Sequence, residues 1–260
     1  MTKPVIPLVT GVLLLFFSSC GPPPQWLDDA QETSPEYIEV LSLSPDRDST
    51  AEYDSFHLLA NETHVDSLLR VGRIQASMQS GEAPLNEVIH ELAMKANSLG
   101  ANAFQVREAI YAQDTSRVLV DLEMYAVSDA LLERNEEHFP RNRIYIIGEL
   151  HPDSDAKEFK LNGEQTEVEP LRYISIENEA GEETTISIGG FLGAKMTLEG
   201  RENRPSSYWS LSEFGVGPYA EAGPPQQSGL GVSFNTGRIH PVNPDAGRFL
   251  IRVLQEQETL

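Results

Sequence analysis

The chain has 260 residues, 40% of them hydrophobic, with 19 basic side chains against 40 acidic ones and a formal charge of −21. That balance repels phosphate backbones and supplies no polybasic patch, which argues against nucleic-acid binding and against electrostatic attachment to anionic headgroups. One cysteine, Cys20, leaves no intrachain disulfide to form, and the length suits one large domain or two modest ones.

The first residues carry one base, Lys3, then an apolar run over residues 8–17, then Ser18-Ser19-Cys20-Gly21. The run is half of the roughly 20 residues that a membrane-spanning helix needs. A short apolar region before small residues is instead a signal-peptide pattern. An ordinary secretory signal leaves the odd thiol without a purpose. The small-small-Cys ending resembles the lipobox of bacterial lipoproteins, with Phe17 where leucine is commonest. The resemblance implies that residues 1–19 are removed and that Cys20 carries acyl chains such as palmitate. Gly21, rather than aspartate, implies sorting to the outer membrane. If Cys20 is lipidated, the mature body has no thiolate for a metal or for nucleophilic attack.

Residues 20–52 read as the lipidated cysteine and an acidic tether. Gly21-Pro22-Pro23-Pro24 favours extended polyproline geometry. Asp28, Asp29, Glu32, Pro35, Pro45, Asp46, Asp48 and Glu52 follow, and charge of one sign extends a linker. Within it, residues 37–43 alternate well enough to form a strand.

Residues 53–128 carry a clearer pattern. Residues 68–76 read as a strand, and residues 80–84 as a turn with Pro84 suited to a first helical position. Leu85, Val88, Ile89, Leu92, Ala93, Ala96 and Leu99 then form one apolar stripe at helical spacing. Glu91 and Lys95 on the flank are an i,i+4 pair, and Gly100 stops the helix at low conformational cost. Strands over residues 103–111 and 118–127 follow, joined by Asp114-Thr115-Ser116 as a hairpin turn. The order is strand, helix, strand, strand.

Lys95-Ala96-Asn97-Ser98-Leu99-Gly100-Ala101-Asn102-Ala103 resembles the helix-to-strand junction of small bacterial domains of the YbjQ/RcsF-like type, and Val71-Gly72-Arg73-Ile74 resembles their preceding strand. The resemblance implies a small α+β fold and an envelope setting, and it brings envelope-stress sensing into view. The sensor lipoproteins of this type have disulfides in the domain, which this chain cannot form.

Residues 129–141 form a charged helix or linker ending near Pro140. Residues 142–260 read as an all-β domain, sandwich- or barrel-like. Its candidate strands cover residues 143–150, 157–161, 171–177, 184–188, 194–198, 208–211, 231–234 and 249–254, with turns at Asn162-Gly163, Ala180-Gly181 and Gly189-Gly190. Asn162-Gly163 is a strong hairpin cue. Residues 215–244 are rich in glycine and proline and suit long surface loops. The expected fold class is therefore α+β: a β-α-β-β domain followed by an all-β domain.

No catalytic constellation stands out. His57, His64, His90, His138, His151 and His240 form no close pair at ligand spacing, and no Gly-x-Ser-x-Gly elbow occurs. Neither a metal nor another cofactor is expected. Tyr208, Trp209, Phe214 and Tyr219 border the glycine- and proline-rich stretch, and exposed aromatics there would suit a sugar or a partner protein. The reading that follows is a membrane-anchored envelope lipoprotein with a non-enzymatic binding or scaffold role, its partners the membrane and an envelope protein or glycan. Alternatives are a glycan hydrolase with two carboxylates at the β-domain loops, and an envelope stress sensor.

Overall fold

The computed structural model describes residues 35–48, 50–51, 53, 55–79, 85–112, 117–189, 194–211, 214–216, 232–234 and 239–258. The expected signal peptide, Cys20 and the tether as far as residue 34 lie outside the described residues. So do the turns at residues 80–84 and 113–116 and the stretch from residue 217 to residue 231, which includes Tyr219.

The chain is α+β and rich in strands, as its patterning implies. β1 (Ile38–Leu43), β2 (His57–Leu58), β3 (Leu69–Gln79), β4 (Ala103–Ala112) and β5 (Arg117–Ala126) form one sheet in the order β1-β3-β5-β4-β2. Helix α1 (Leu85–Ser98) lies between β3 and β4 in sequence, so the strand-helix-strand-strand unit is present. Its buried apolar residues Leu85, Val88, Ile89, Leu92, Ala93 and Ala96 belong to the apolar stripe read from the sequence, whose last member, Leu99, lies just past the helix. The helix ends in a left-handed turn at Gly100 (φ 86°). There the Ala101 N–H reaches the Ala96 carbonyl, 3.1 Å away, and closes the last turn.

α2 (Asp129–Asn135) and a 3-10 turn (Glu136–His138) occupy the expected charged segment. Beyond it come β6 (Arg143–Ile147), β7 (Lys157–Leu161), β8 (Glu164–Val168), β9 (Arg172–Glu177), β10 (Glu183–Ile188), β11 (Ala194–Glu199), β12 (Ser207–Ser210), β13 (Phe214–Val216), β14 (Val232–Phe234) and β15 (His240–Val242). The chain closes with α3 (Pro244–Val253) and β16 (Gln255–Glu256). β7 and β8 meet at Asn162 (φ 52°) and Gly163 (φ 91°), two left-handed residues as a tight hairpin requires.

Two stacked sheets result. An outer antiparallel sheet has the order β11-β10-β7-β8, and a central sheet has the order β15-β12-β6-β9-β16. The central sheet is mixed, because β12 runs parallel to β6 and β16 parallel to β9. β13 and β14 pair with each other. The segment over residues 249–254, read from sequence as a strand, is helical as far as Val253, with Leu254 the extended residue that caps the helix. Asn243 caps its start by accepting a hydrogen bond from the Asp245 N–H (2.9 Å), and Pro244 follows in the first turn.

Alternation along β6 shows how the layers stack. Ile144 and Ile146 join Phe159, Val168, Ile174, Ile186 and Leu198 in a core between the central and outer sheets. Tyr145 and Ile147 face the other way, into a larger cluster. That cluster also takes in Tyr208 and Val242 of the central sheet, Phe249 and Leu250 of α3, the stripe of α1, and Ile74, Phe104, Leu122 and Met124 of the N-terminal sheet. α3 bridges the two: Phe249 meets Phe104 edge-on (5.8 Å, 64°), while Gly247 lies against Tyr208.

Candidate functional site

Of the four aromatics singled out from the sequence, Tyr208 and Trp209 are neighbours on β12 and so point to opposite faces of the central sheet. Tyr208 is only 3% exposed. Its ring stacks on Tyr145 (5.0 Å, 6°), and Tyr145 meets Tyr173 edge-on (5.9 Å, 64°). A ring so covered offers no free face to a sugar. Trp209 packs against the core between the central and outer sheets, and its buried indole N–H has no hydrogen-bond partner among the described residues. Phe214 lies in β13 by its backbone; its side chain, like Tyr219, is outside the described residues.

A polar cluster surrounds α3. Arg248, in the helix, donates from Nη1 (2.6 Å) and Nη2 (2.5 Å) to the two carboxylate oxygens of Glu136 in the 3-10 turn. Its guanidinium carbon sits 3.9 Å above the Phe139 ring, a favourable cation–π distance. Asp245 lies 3.5 Å from Arg248 Nη1 on one side. On the other side its Oδ2 is 2.8 Å from His57 Nδ1 on β2, and its Oδ1 accepts the Leu58 N–H at 3.4 Å. Asn135, at the end of α2, closes the cluster from below. Its side-chain oxygen accepts the Ala60 N–H (2.8 Å) and the Thr63 hydroxyl (2.8 Å), and its amide donates to the Leu58 carbonyl (2.9 Å).

The charges respond to these neighbours. The hydrogen bond to Asp245 raises the His57 pKa, against a smaller opposing effect of burial. Burial works against the Arg248 charge, but the bonds to Glu136 and the nearby acids outweigh it and hold the cation more firmly than usual. Burial is the main reason that the Tyr208 hydroxyl is pushed up to about 12, so it stays protonated. The cluster therefore holds an imidazole–carboxylate pair, a fixed guanidinium and a neutral phenol. It can bind and relay a proton at His57, whose side chain is 22% exposed.

His57, Glu136, Asp245 and Arg248 were not singled out as a site from the sequence. His57 and Asp245 stand 188 positions apart, and Arg248 and Glu136 stand 112 apart. The one local signal is Asn243-Pro244-Asp245, a cap, a first-turn proline and a first-turn acid, which mark a helix start.

A second polar array covers the open face of the N-terminal sheet. Arg70 Nε donates to Glu123 (2.6 Å), Arg107 Nη1 reaches the other oxygen of the same carboxylate (3.0 Å), and Arg73 grips the buried Asp121 through Nε (2.7 Å). Burial tends to raise the Glu123 pKa, but Arg70, Tyr125 and Arg107 together bring it below the usual carboxylate range. The carboxylates are sunken and the arginines lie over them, so the array neutralises itself across adjacent strands. Among the described residues no group of three or more His, Cys, Asp and Glu side chains converges to hold a metal ion. No protein-family model, no curated protein and no solved structure matches this chain.

Proposed function

We propose that the chain is a cell-envelope lipoprotein, held to the outer membrane by acyl chains on Cys20, whose folded part binds or scaffolds an envelope protein or glycan without catalysing a reaction. The observation that carries this reading is the start of the chain: ten residues of apolar run, two serines, and the single cysteine followed by glycine. Each buried methylene of an acyl chain contributes about 0.8 kcal/mol, so two or more chains make release slow. Among the described residues no helix is long and apolar enough to cross a membrane.

The tether supports the scaffold part of the reading. β1 begins at Ile38, eighteen positions after Cys20. At full extension such a segment spans at most roughly 60 Å, so a lipidated Cys20 would let the folded part work at a distance from the bilayer. The acidic surface keeps it soluble there.

Labelled palmitate distinguishes the anchor from plain secretion. The wild-type chain takes up label and partitions with membranes, and Cys20→Ala abolishes both. Labelling that survives the substitution, or a wild-type chain that stays in the soluble fraction, overturns the anchor. Crosslinking in cells followed by mass spectrometry then identifies the neighbour, and turnover of envelope glycans by the purified chain would overturn the non-catalytic role.

A further inference from the structure

We propose that the contact between β2 and α3 is a proton-gated clasp, in which protonated His57 held by Asp245 seats α3 against the edge of the N-terminal sheet and loss of the proton loosens it. This goes beyond the anchored scaffold role and stands whether or not Cys20 carries a lipid.

β2 is only two residues long and forms the edge of its sheet. Backbone bonds hold it on one side alone, through the His57 N–H to the Asn102 carbonyl and the Leu59 N–H to the Phe104 carbonyl, both 2.8 Å. On its other side the partners are two side chains, the Asn135 amide, which donates to the Leu58 carbonyl at 2.9 Å, and the Asp245 carboxylate. Asp245 receives His57 Nδ1 at 2.8 Å and the Leu58 N–H at 3.4 Å. Asp245 is also in the first turn of α3, where a negative charge is favoured by the helix dipole. One side chain thus serves the helix start and the strand edge together. Farther along α3, Arg252 Nη1 donates to Asn61 at 2.8 Å, a second tie to the same stretch of chain.

Among the described residues, the charged groups around His57 are few. α3 presents Asp245 and Arg248, and the 3-10 turn presents Glu136. From β4, the paired Ala103 and the adjoining Asn102 bring no charge. Two acids against one base favour an imidazolium. The side chain is exposed enough to exchange its proton with solvent. Because the folded state raises the His57 pKa, the clasp contributes fully below the unfolded-chain value of about 6.5. Its contribution is lost as pH rises through the higher folded value.

Hydrogen exchange on the purified full chain reads this directly. After correction for intrinsic rates, protection of the α3 amides is expected to fall several-fold between pH 5.5 and pH 9, with the amides of α1 as the internal reference. His57→Gln should remove the dependence and hold protection near the alkaline wild-type level. Unchanged α3 protection across that range in the wild type, or the same slope in His57→Gln, overturns the clasp. If His57→Gln does not fold, NMR titration of wild-type His57 decides: a midpoint clearly above the free-imidazole value supports the proposal, and a midpoint at or below it sinks it.

Discussion

At the scale of single residues, burial decides which half of an ion pair matters. Arg248 is 7% exposed by side chain and Glu136 is 47% exposed. Removing the acid strands a cation inside the protein, with Asp245 at 3.5 Å as the carboxylate left beside it. Breaking a buried pair in this way costs about 3–5 kcal/mol when nothing compensates. With Asp245 still present, Glu136→Gln should cost about 2–3 kcal/mol. Arg248→Met removes the buried charge, keeps an apolar stem over Phe139, and leaves a carboxylate that water can reach. Its cost should be about 1 kcal/mol, in the range of exposed pairs. Urea titrations with equal m-values would measure both. An arginine variant that loses more than the glutamate variant would show that the bidentate contact, rather than charge burial, dominates at this position.

At the scale of elements, α3 is the part that sequence patterning misread, and the reason is physical. Phe249-Leu250-Ile251-Arg252-Val253-Leu254 is a short apolar run, and such a run fits a buried strand as well as a helix. The cap and proline at Asn243 and Pro244 outweigh it, and burial of Ala246, Phe249, Leu250 and Val253 then follows the helical period. α1 was legible because its stripe runs through four turns, and the β7–β8 hairpin because Asn162-Gly163 needs no distant partner. The cluster around Asp245 was not legible, since no local period links it to His57. Helix α3 also has to approach β12 closely. A Cβ at Gly247 would overlap Tyr208 Cγ and lie 2.5 Å from its Cδ1 and 2.6 Å from its Cβ. These atoms are near the backbone and cannot swing away. Alanine in a helix interior gains about 1 kcal/mol over glycine, whereas overpacking costs about 1–3 kcal/mol and sometimes more. The overlap should win, so that Gly247→Ala loses about 2 kcal/mol and weakens the near-ultraviolet signal of the Tyr208–Tyr145 stack. A stabilised Gly247→Ala chain would mean that α3 is not wedged against the central sheet.

At the scale of the whole molecule, the described residues from 35 to 258 make one compact unit. The larger apolar cluster runs without a break from Ile74 and Leu122 in the N-terminal sheet, through Phe104 and Phe249, to Tyr208 and Ile147 in the central sheet. Tyr145 and Ile146 are consecutive on β6 yet belong to different cores, so the central sheet cannot lose one core and keep the other in register. The segment over residues 129–141 adds polar ties, because Asn135 binds the chain near Leu58 and Glu136 binds α3. Cooperative loss of all layers is the expected consequence, although this length would permit two independent domains. Two probes at opposite ends of the stack test it. With Trp26→Phe, Trp209 is the only indole of a chain that has two tryptophans, and its fluorescence reports the core between the central and outer sheets. Amide exchange of β3 and β5 reports the N-terminal sheet. In urea the fluorescence midpoint and the concentration at which the β3 and β5 amides lose protection should coincide, as a two-state transition demands. Fluorescence that completes its change while those amides remain protected would divide the molecule at α3, and the continuous core would then be a contact between two separately stable parts.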